Sequence, residues 1–225
     1  MIINEIFTSI DGEVSRFHQG TMSTFIRFAG CNLKCPYCDT QYAQQNWQGK
    51  EYSVEEVLDK VQEIGCKKVT ITGGEPLLQK DELLLLIRNL YSKGYKITVE
   101  TNGSIAIPPA FVFELDIDGC PEEFCWAVDY KLWCWEKMIT RNYLFLNEND
   151  WIKFVLQSPQ EYVLAKETIG LLRDKGCRAR MALSPAFGMF DPVELILMIK
   201  NDRFWDVTVN LQLHKIIWSP DERGV

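Results

Sequence analysis

Cys31, Cys35 and Cys38 lie in one short run, Cys31-Asn32-Leu33-Lys34-Cys35-Pro36-Tyr37-Cys38. Three residues separate the first pair and two the second. Three thiolates on one short loop suit a [4Fe-4S] cluster in which one iron has no protein ligand. That open iron is where chemistry could happen. Two other readings fit the same spacing. A zinc site would want a fourth Cys or His close by. His18 is the nearest candidate and His214 the only other histidine. Unrelated free thiols are the third reading.

Other residues suited to chemistry recur along the chain. Arg27 precedes the cysteines, and a planar guanidinium suits bidentate recognition of a carboxylate. Its ordinary alternative is a surface-facing strand arginine. Asp39 and Thr40 follow the last cysteine. Thr72-Gly73-Gly74-Glu75-Pro76 is glycine-rich, and glycines permit close backbone approach. Taken alone, Gly-Gly is a common strand-to-loop turn. Glu100-Thr101-Asn102, Asp129-Tyr130-Lys131 and His214-Lys215 complete the set.

The elements that must position these residues are legible in outline. Residues 2–7 alternate weakly and suggest an edge strand, followed by a loop from Ser9 to Gly20. Thr24 to Phe28 reads as a strand running into the cysteines. Ser53-Val54-Glu55-Glu56 matches a capping box, and the helix it opens stops at Gly65. Lys68 to Thr72 is a strand. A helix from Asp81 to about Lys93 follows, then a strand from Tyr95 to Thr101. Pro108-Pro109 breaks regularity, and Cys120-Pro121 suggests a turn. Strands are expected at Trp126 to Lys131, Trp151 to Leu156, Arg178 to Leu183 and Val207 to Leu213. Helices start at Ser158-Pro159 and Asp191-Pro192.

Strands and helices alternate, which predicts a parallel sheet with right-handed crossovers. Eight βα units usually need about 250 residues, and this chain has 225. About six units fit, so the expected architecture is α/β, a partial (β/α)6-type TIM-like barrel in a single domain over 1–225. Sites in such folds lie at the C-terminal ends of strands. The cysteines, the glycine pair, Glu100, Asp129 and His214 all fall at such ends.

Composition narrows the function. A net charge of −7 argues against a general nucleic-acid binder. No apolar run approaches the ~20 residues of a membrane span, and the N-terminus does not read as a secretion signal. A cytoplasmic protein is expected. Of the eight cysteines, only the first three cluster tightly. Cys66 and Cys177 read as small buried apolar residues. Cys120, Cys125 and Cys134 show no CxxC pair, so an auxiliary cluster is weakly supported. Trp126, Trp133 and Trp135 suggest packing or an interface.

The CxxxCxxC spacing with Tyr37 before the last cysteine resembles the radical S-adenosylmethionine superfamily. Thr72-Gly73-Gly74-Glu75-Pro76 resembles its glycine-rich element. A closer resemblance, to 7-carboxy-7-deazaguanine synthases, rests on several stretches. These are Ser9 to Glu13, Phe25 to Cys31, Cys38-Asp39-Thr40, Val99 to Gly103, Ile152 to Val155 and Gln212 to Trp218. Residues 104–125 and 133–150 have no match. Two departures stand out: Asp11-Gly12-Glu13-Val14 where the family commonly has Gln-Gly-Glu-Gly, and Asp129-Tyr130-Lys131 where many members have Ser-Pro or Ala-Pro.

This resemblance implies a lyase converting 6-carboxy-5,6,7,8-tetrahydropterin to 7-carboxy-7-deazaguanine with loss of ammonia, on the path to queuosine and other 7-deazapurines. It implies a 5′-deoxyadenosyl radical from S-adenosylmethionine (SAM) bound to a [4Fe-4S] cluster, with Mg²⁺ also required. It implies a homodimer and an electron donor such as flavodoxin. By motif, Cys31, Cys35 and Cys38 would hold the cluster and Thr40 the Mg²⁺. Tyr37, Cys38, Asp39, Gly74, Glu100, Asp129, Tyr130 and Lys131 would face the cofactor. Ile10, Asp11, Gly12, Arg27, Thr72 and His214 would face the substrate. The alternatives are another radical SAM enzyme, such as a glycyl-radical activase or peptide-modifying enzyme, and a non-catalytic zinc-binding module.

Overall fold

The computed structural model describes residues 1–44, 47–108, 122–220 and 222–225. Among these residues nine strands form one sheet in the order β3-β1-β2-β4-β5-β6-β7-β8-β9. They are β1 (Ile2–Ile10), β2 (Met22–Phe28), β3 (Lys50–Glu51), β4 (Lys68–Gly73), β5 (Lys96–Thr101), β6 (Phe124–Asp129), β7 (Trp151–Leu156), β8 (Arg180–Pro185) and β9 (Thr208–Val209). From β2 through β9 all neighbours are parallel. β1 pairs antiparallel with β2 and with β3. The sheet does not close, so the architecture is a partial barrel of α/β type.

The helices are α1 (Gln41–Gln44), α2 (Val54–Ile64), α3 (Lys80–Ser92), α4 (Thr140–Phe145), α5 (Pro159–Asp174), α6 (Pro192–Asn201) and α7 (Leu213–Ile217). Their starts follow local chemistry. Ser53 caps α2 in a complete capping box with Glu56. Ser158 and Asp191 cap α5 and α6, each with a proline in the first turn. Gly65 ends α2 in the left-handed conformation, at φ 80°.

Strand alternation divides the chemistry. Val69, Ile71, Ile97, Val99, Ile152 and Phe154 belong to the main core, each wholly buried. The intervening residues Thr72, Glu100, Asp129, Lys153 and Ser184 line a cavity instead. The barrel's hollow side is therefore polar and its outer face apolar.

Three expectations change. The first strand lies between β2 and β3 rather than at the edge, and it continues through Ser9 and Ile10. The last strand has only two residues; Gln212 then leads into α7. Lys80, not Asp81, opens α3, after a 3-10 turn over Pro76–Gln79. Pro109, Cys120 and Pro121 lie outside the described residues.

Candidate active site

The cysteine loop leaves the C-terminal end of β2 and crosses the end of β4. The two meet at glycine. A Cβ on Gly74 would lie 2.1 Å from the Gly30 carbonyl oxygen and 2.9 Å from Cys31 Cβ. Gly73 adopts φ 150°, and a Cβ there would lie 2.3 Å from the Phe28 carbonyl oxygen. Gly74 N–H donates to Phe28 O and Glu75 N–H to Gly30 O. No side chain fits this seam, so the glycines set how closely the loop sits on the strand end.

Glu75 locks the next strand to the same seam. Its carboxylate is wholly buried. It accepts from Leu77 N at 2.9 Å, Thr101 Oγ1 at 2.8 Å and Asn102 N at 2.7 Å. Burial nevertheless pushes its pKa up to about 7. Asn102 in turn donates to Asn32 Oδ1 at 3.0 Å, tying the β5 end to the cysteine loop.

All three thiols line one cavity of about 570 Å³, and none forms a disulfide. Burial pushes the Cys35 thiol up to about 11; Lys131 opposes this, while Asp129, Cys38 and Cys31 add to it. Burial also raises Cys31, with Glu75 and Cys38 contributing. Neighbouring thiols are thus close enough to disfavour ionisation of Cys31 and Cys35, and bound iron would reverse that by replacing the protons. Among the described residues, no group of three or more His, Cys, Asp and Glu side chains could hold one metal ion together. His18 lies in an exposed turn at φ 70° and does not line the cavity.

The cavity brings together nearly every residue singled out by sequence: Ile10, Asp11, Gly12, Arg27, Tyr37, Asp39, Thr40, Thr72, Gly74, Glu100, Asp129, Lys131 and His214. Tyr130 stands apart. Its ring packs 5.0 Å from that of Tyr143 and 5.3 Å from that of Phe154. Strand alternation turns it outward between Asp129 and Lys131.

Arg27 Nε donates to Glu5 Oε1 at 2.6 Å, and the guanidinium lies over the Phe7 ring. Asp39 sits beside it. Burial works against the Asp39 charge, but His214, Arg27 and Lys215 together hold the carboxyl well below its usual range. His214 Nε2 lies 3.5 Å from Asp39 Oδ2, and Gln212 donates to the same oxygen at 3.1 Å. Thr40 Oγ1 is 3.6 Å from Cys38 Sγ.

Two residues that the sequence reading quoted within matched stretches but gave no role, Glu13 and Lys153, meet here. Lys153 is paired with both Glu13 and Asp129, and Lys131 binds the other oxygen of Asp129 at 2.6 Å. Glu100, which accepts from Thr72 Oγ1 at 2.7 Å, completes the cluster. Burial pushes it up to about 8, Glu13 adding and Lys153 opposing. The signal available in sequence was a lysine inside an otherwise apolar strand, Trp151–Leu156.

Comparison with known proteins agrees with this geometry. Residues 25–115 match the Radical SAM superfamily model. A 7-carboxy-7-deazaguanine synthase from Clostridium acetobutylicum is 38% identical over 98% of this chain and 97% of its own. One from Koribacter versatilis is 32% identical over the full length of both. Among solved structures, QueE from Escherichia coli matches with a TM-score of 0.69 at 22% identity, over 94% of this chain and 93% of that one. That last match is a likeness of fold.

Proposed function

This chain belongs to the 7-carboxy-7-deazaguanine synthase family of radical SAM enzymes, and from that premise we propose how its own residues carry the reaction. It is a lyase that converts 6-carboxy-5,6,7,8-tetrahydropterin to 7-carboxy-7-deazaguanine. The net change is loss of one ammonia, with no net oxidation. When bound, the [4Fe-4S] cluster and SAM would together supply reversible hydrogen-atom abstraction by a 5′-deoxyadenosyl radical.

The chain's part is to hold and orient. Cys31, Cys35 and Cys38 would ligate the cluster and leave one iron for SAM. Tyr37, Asp39, Gly74, Glu100, Asp129 and Lys131 would face the cofactor. Arg27 would pair with the substrate carboxylate, its Nε fixed by Glu5 so that the guanidinium edge is aimed in advance. Ile10, Asp11 and Gly12 would hold the pterin, with Thr72 and His214 beside it. Thr40 would give a hydroxyl to Mg²⁺, a hard cation that takes oxygen ligands. Tyr130 would support this wall through its ring packing rather than touch a ligand.

The observation that carries this reading is one cavity that gathers three thiols, a glycine-lined strand end, Arg27 and Thr72. We further infer a cytoplasmic homodimer that takes its electron from a reductase such as flavodoxin. Support for a dimer comes from the apolar outer faces of α5 and α6. No helix among the described residues is long and apolar enough to cross a membrane.

The test is anaerobic reconstitution with iron and sulfide, followed by SAM, Mg²⁺, reductant and 6-carboxy-5,6,7,8-tetrahydropterin. Formation of 7-carboxy-7-deazaguanine is expected. Cofactor cleavage without that product would point to a different radical SAM reaction. A Cys35→Ala variant that kept full iron and activity would remove the cluster assignment.

A further inference from the structure

Among the buried charges of the cavity, Lys153 has the most divided environment. Its ammonium is paired closely with Glu13 Oε2 and lies 3.3 Å from Asp129 Oδ1. The two carboxylates belong to different elements. Glu13 follows Asp11 and Gly12 after β1; Asp129 ends β6 and is joined to Lys131. The Glu13 side is anchored further: Glu13 Oε1 accepts from Val14 N at 2.8 Å, and Glu13 N donates to Asp11 Oδ1 at 2.9 Å. Asp11 is tied to the barrel floor by Lys68 at 2.9 Å and Thr70 at 2.8 Å. The Asp129 side is incomplete. Asp129 Oδ1 is buried and has no directional hydrogen bond, and neither does the buried Tyr37 hydroxyl nearby. Lys131, whose ammonium sits 5.4 Å from the centre of the Tyr37 ring, links the two.

An ammonium shared between two carboxylates has two arrangements. Where a ligand's N–H donors engage Glu13, the ammonium is released toward Asp129 and can complete the bond that Oδ1 lacks. Where a ligand draws Lys131 off Asp129, that carboxylate is left short of a cation and pulls the Lys153 ammonium the same way, toward Asp129. Either ligand biases the same element, which is the physical requirement for coupling between two sites.

We propose that Lys153 is a positioning residue that couples binding at the Glu13 side of the cavity to binding at the Asp129 side. The proposal rests on the functional reading above, which puts the pterin at the first side and SAM at the second. Coupling is reciprocal, so pterin tightens SAM by the same factor as SAM tightens pterin. The effect belongs to equilibrium binding and is read without turnover.

The experiment uses the reconstituted holoprotein without reductant, so that SAM is not cleaved. The dissociation constant of SAM is measured with and without saturating 6-carboxy-5,6,7,8-tetrahydropterin, and that of the pterin with and without SAM. Wild type is expected to show mutual tightening of about tenfold. Lys153→Met should bring both ratios to about one, and Lys153→Arg should restore part of the coupling. A structural lesion alone would weaken each ligand without equalising the ratios. If Lys153→Met does not fold, the Lys153→Met/Glu13→Gln double variant, which removes the pair together, carries the same test. Wild type with no mutual tightening, or coupling that survives in Lys153→Met or the double variant, overturns the proposal. Failure of the pterin to bind wild type at all would instead overturn the functional reading.

Discussion

Arg27 shows how a single side chain joins packing to recognition. Its Nε is already engaged by Glu5, while its environment, Asp39 and Tyr42 included, favours the charged form. Replacement by alanine would leave the substrate carboxylate without its partner. Arg27→Ala should weaken pterin binding by about 2–5 kcal/mol, read as a raised Kd while the iron content is unchanged; unaltered binding would remove its role. Asp150 gives a residue-scale test of stability. Its carboxylate accepts from Trp126 N at 2.8 Å and Asn147 N at 3.0 Å, yet burial pushes it up to about 6. A carboxyl raised on folding binds protons more tightly folded than unfolded, so its contribution to stability grows as pH falls through 6 toward its ordinary value near 4. Asparagine does not titrate. Wild type should therefore gain about 1 kcal/mol of stability relative to Asp150→Asn between pH 7.5 and 5 in denaturant melts. A gap independent of pH would show that Asp150 is not raised. The site was partly legible at this scale. The cysteines lie close together in sequence and announce themselves. Glu13 and Lys153 are 140 positions apart, and only the folded barrel brings them together.

Elements were legible where local chemistry decides them. Capping boxes, first-turn prolines and terminal glycines placed α2, α5 and α6, because those interactions close within a few residues. They were less legible where distant pairing decides. β1 looks like an edge strand by its weak alternation, but β3 returns to cover its outer side through Ile2 and Ile3. At the other end, Asn210 donates its side chain to Gly12 O and its N–H to Leu183 O. The first of these lies outside the ladder and marks where β9 stops, which no propensity in Val207 to Leu213 reveals. The β2–β4 seam offers a test at the same scale. Gly74→Ala forces the Gly30–Cys31 backbone to shift, because the new methyl would overlap main-chain atoms that a flexible side chain cannot relieve. The variant should fold but take up markedly less iron on reconstitution, with weakened SAM binding. Gly170→Ala is the control. Its added Cβ meets nothing within 4 Å, in the middle of α5, so it should stabilise the protein by about 0.4–1 kcal/mol and leave iron uptake intact. Equal iron uptake by the two variants would break the link between the seam and the cluster loop.

At the scale of the whole molecule, apolar surface is distributed unequally. The cavity end carries most of the charge pairs, whereas α5 and α6 present large apolar side chains outward. Val163, Leu164 and Leu171 are exposed on α5, and Val193, Ile196 and Leu197 on α6. These helices pack beside each other, joined by Lys166 and Tyr162 on α5 to Asp202 at the end of α6. A helix that is apolar on both its inner and outer faces is expected to be covered on both. Here the inner face of α6 is covered by the barrel through Leu195 and Ile199. Burying a leucine or valine side chain contributes about 1.5–3 kcal/mol, so a few such residues on each of two copies could sustain a dimer against its association cost. Because the cavity opens at the strand ends, α5 and α6 can meet a second copy without covering it. Leu197→Glu should therefore convert a dimer to a monomer in sedimentation equilibrium, while SAM binding to the reconstituted protein stays within about twofold, a change under half a kcal/mol. A wild-type monomer, or a Leu197→Glu variant that remains dimeric, would move the interface away from these helices.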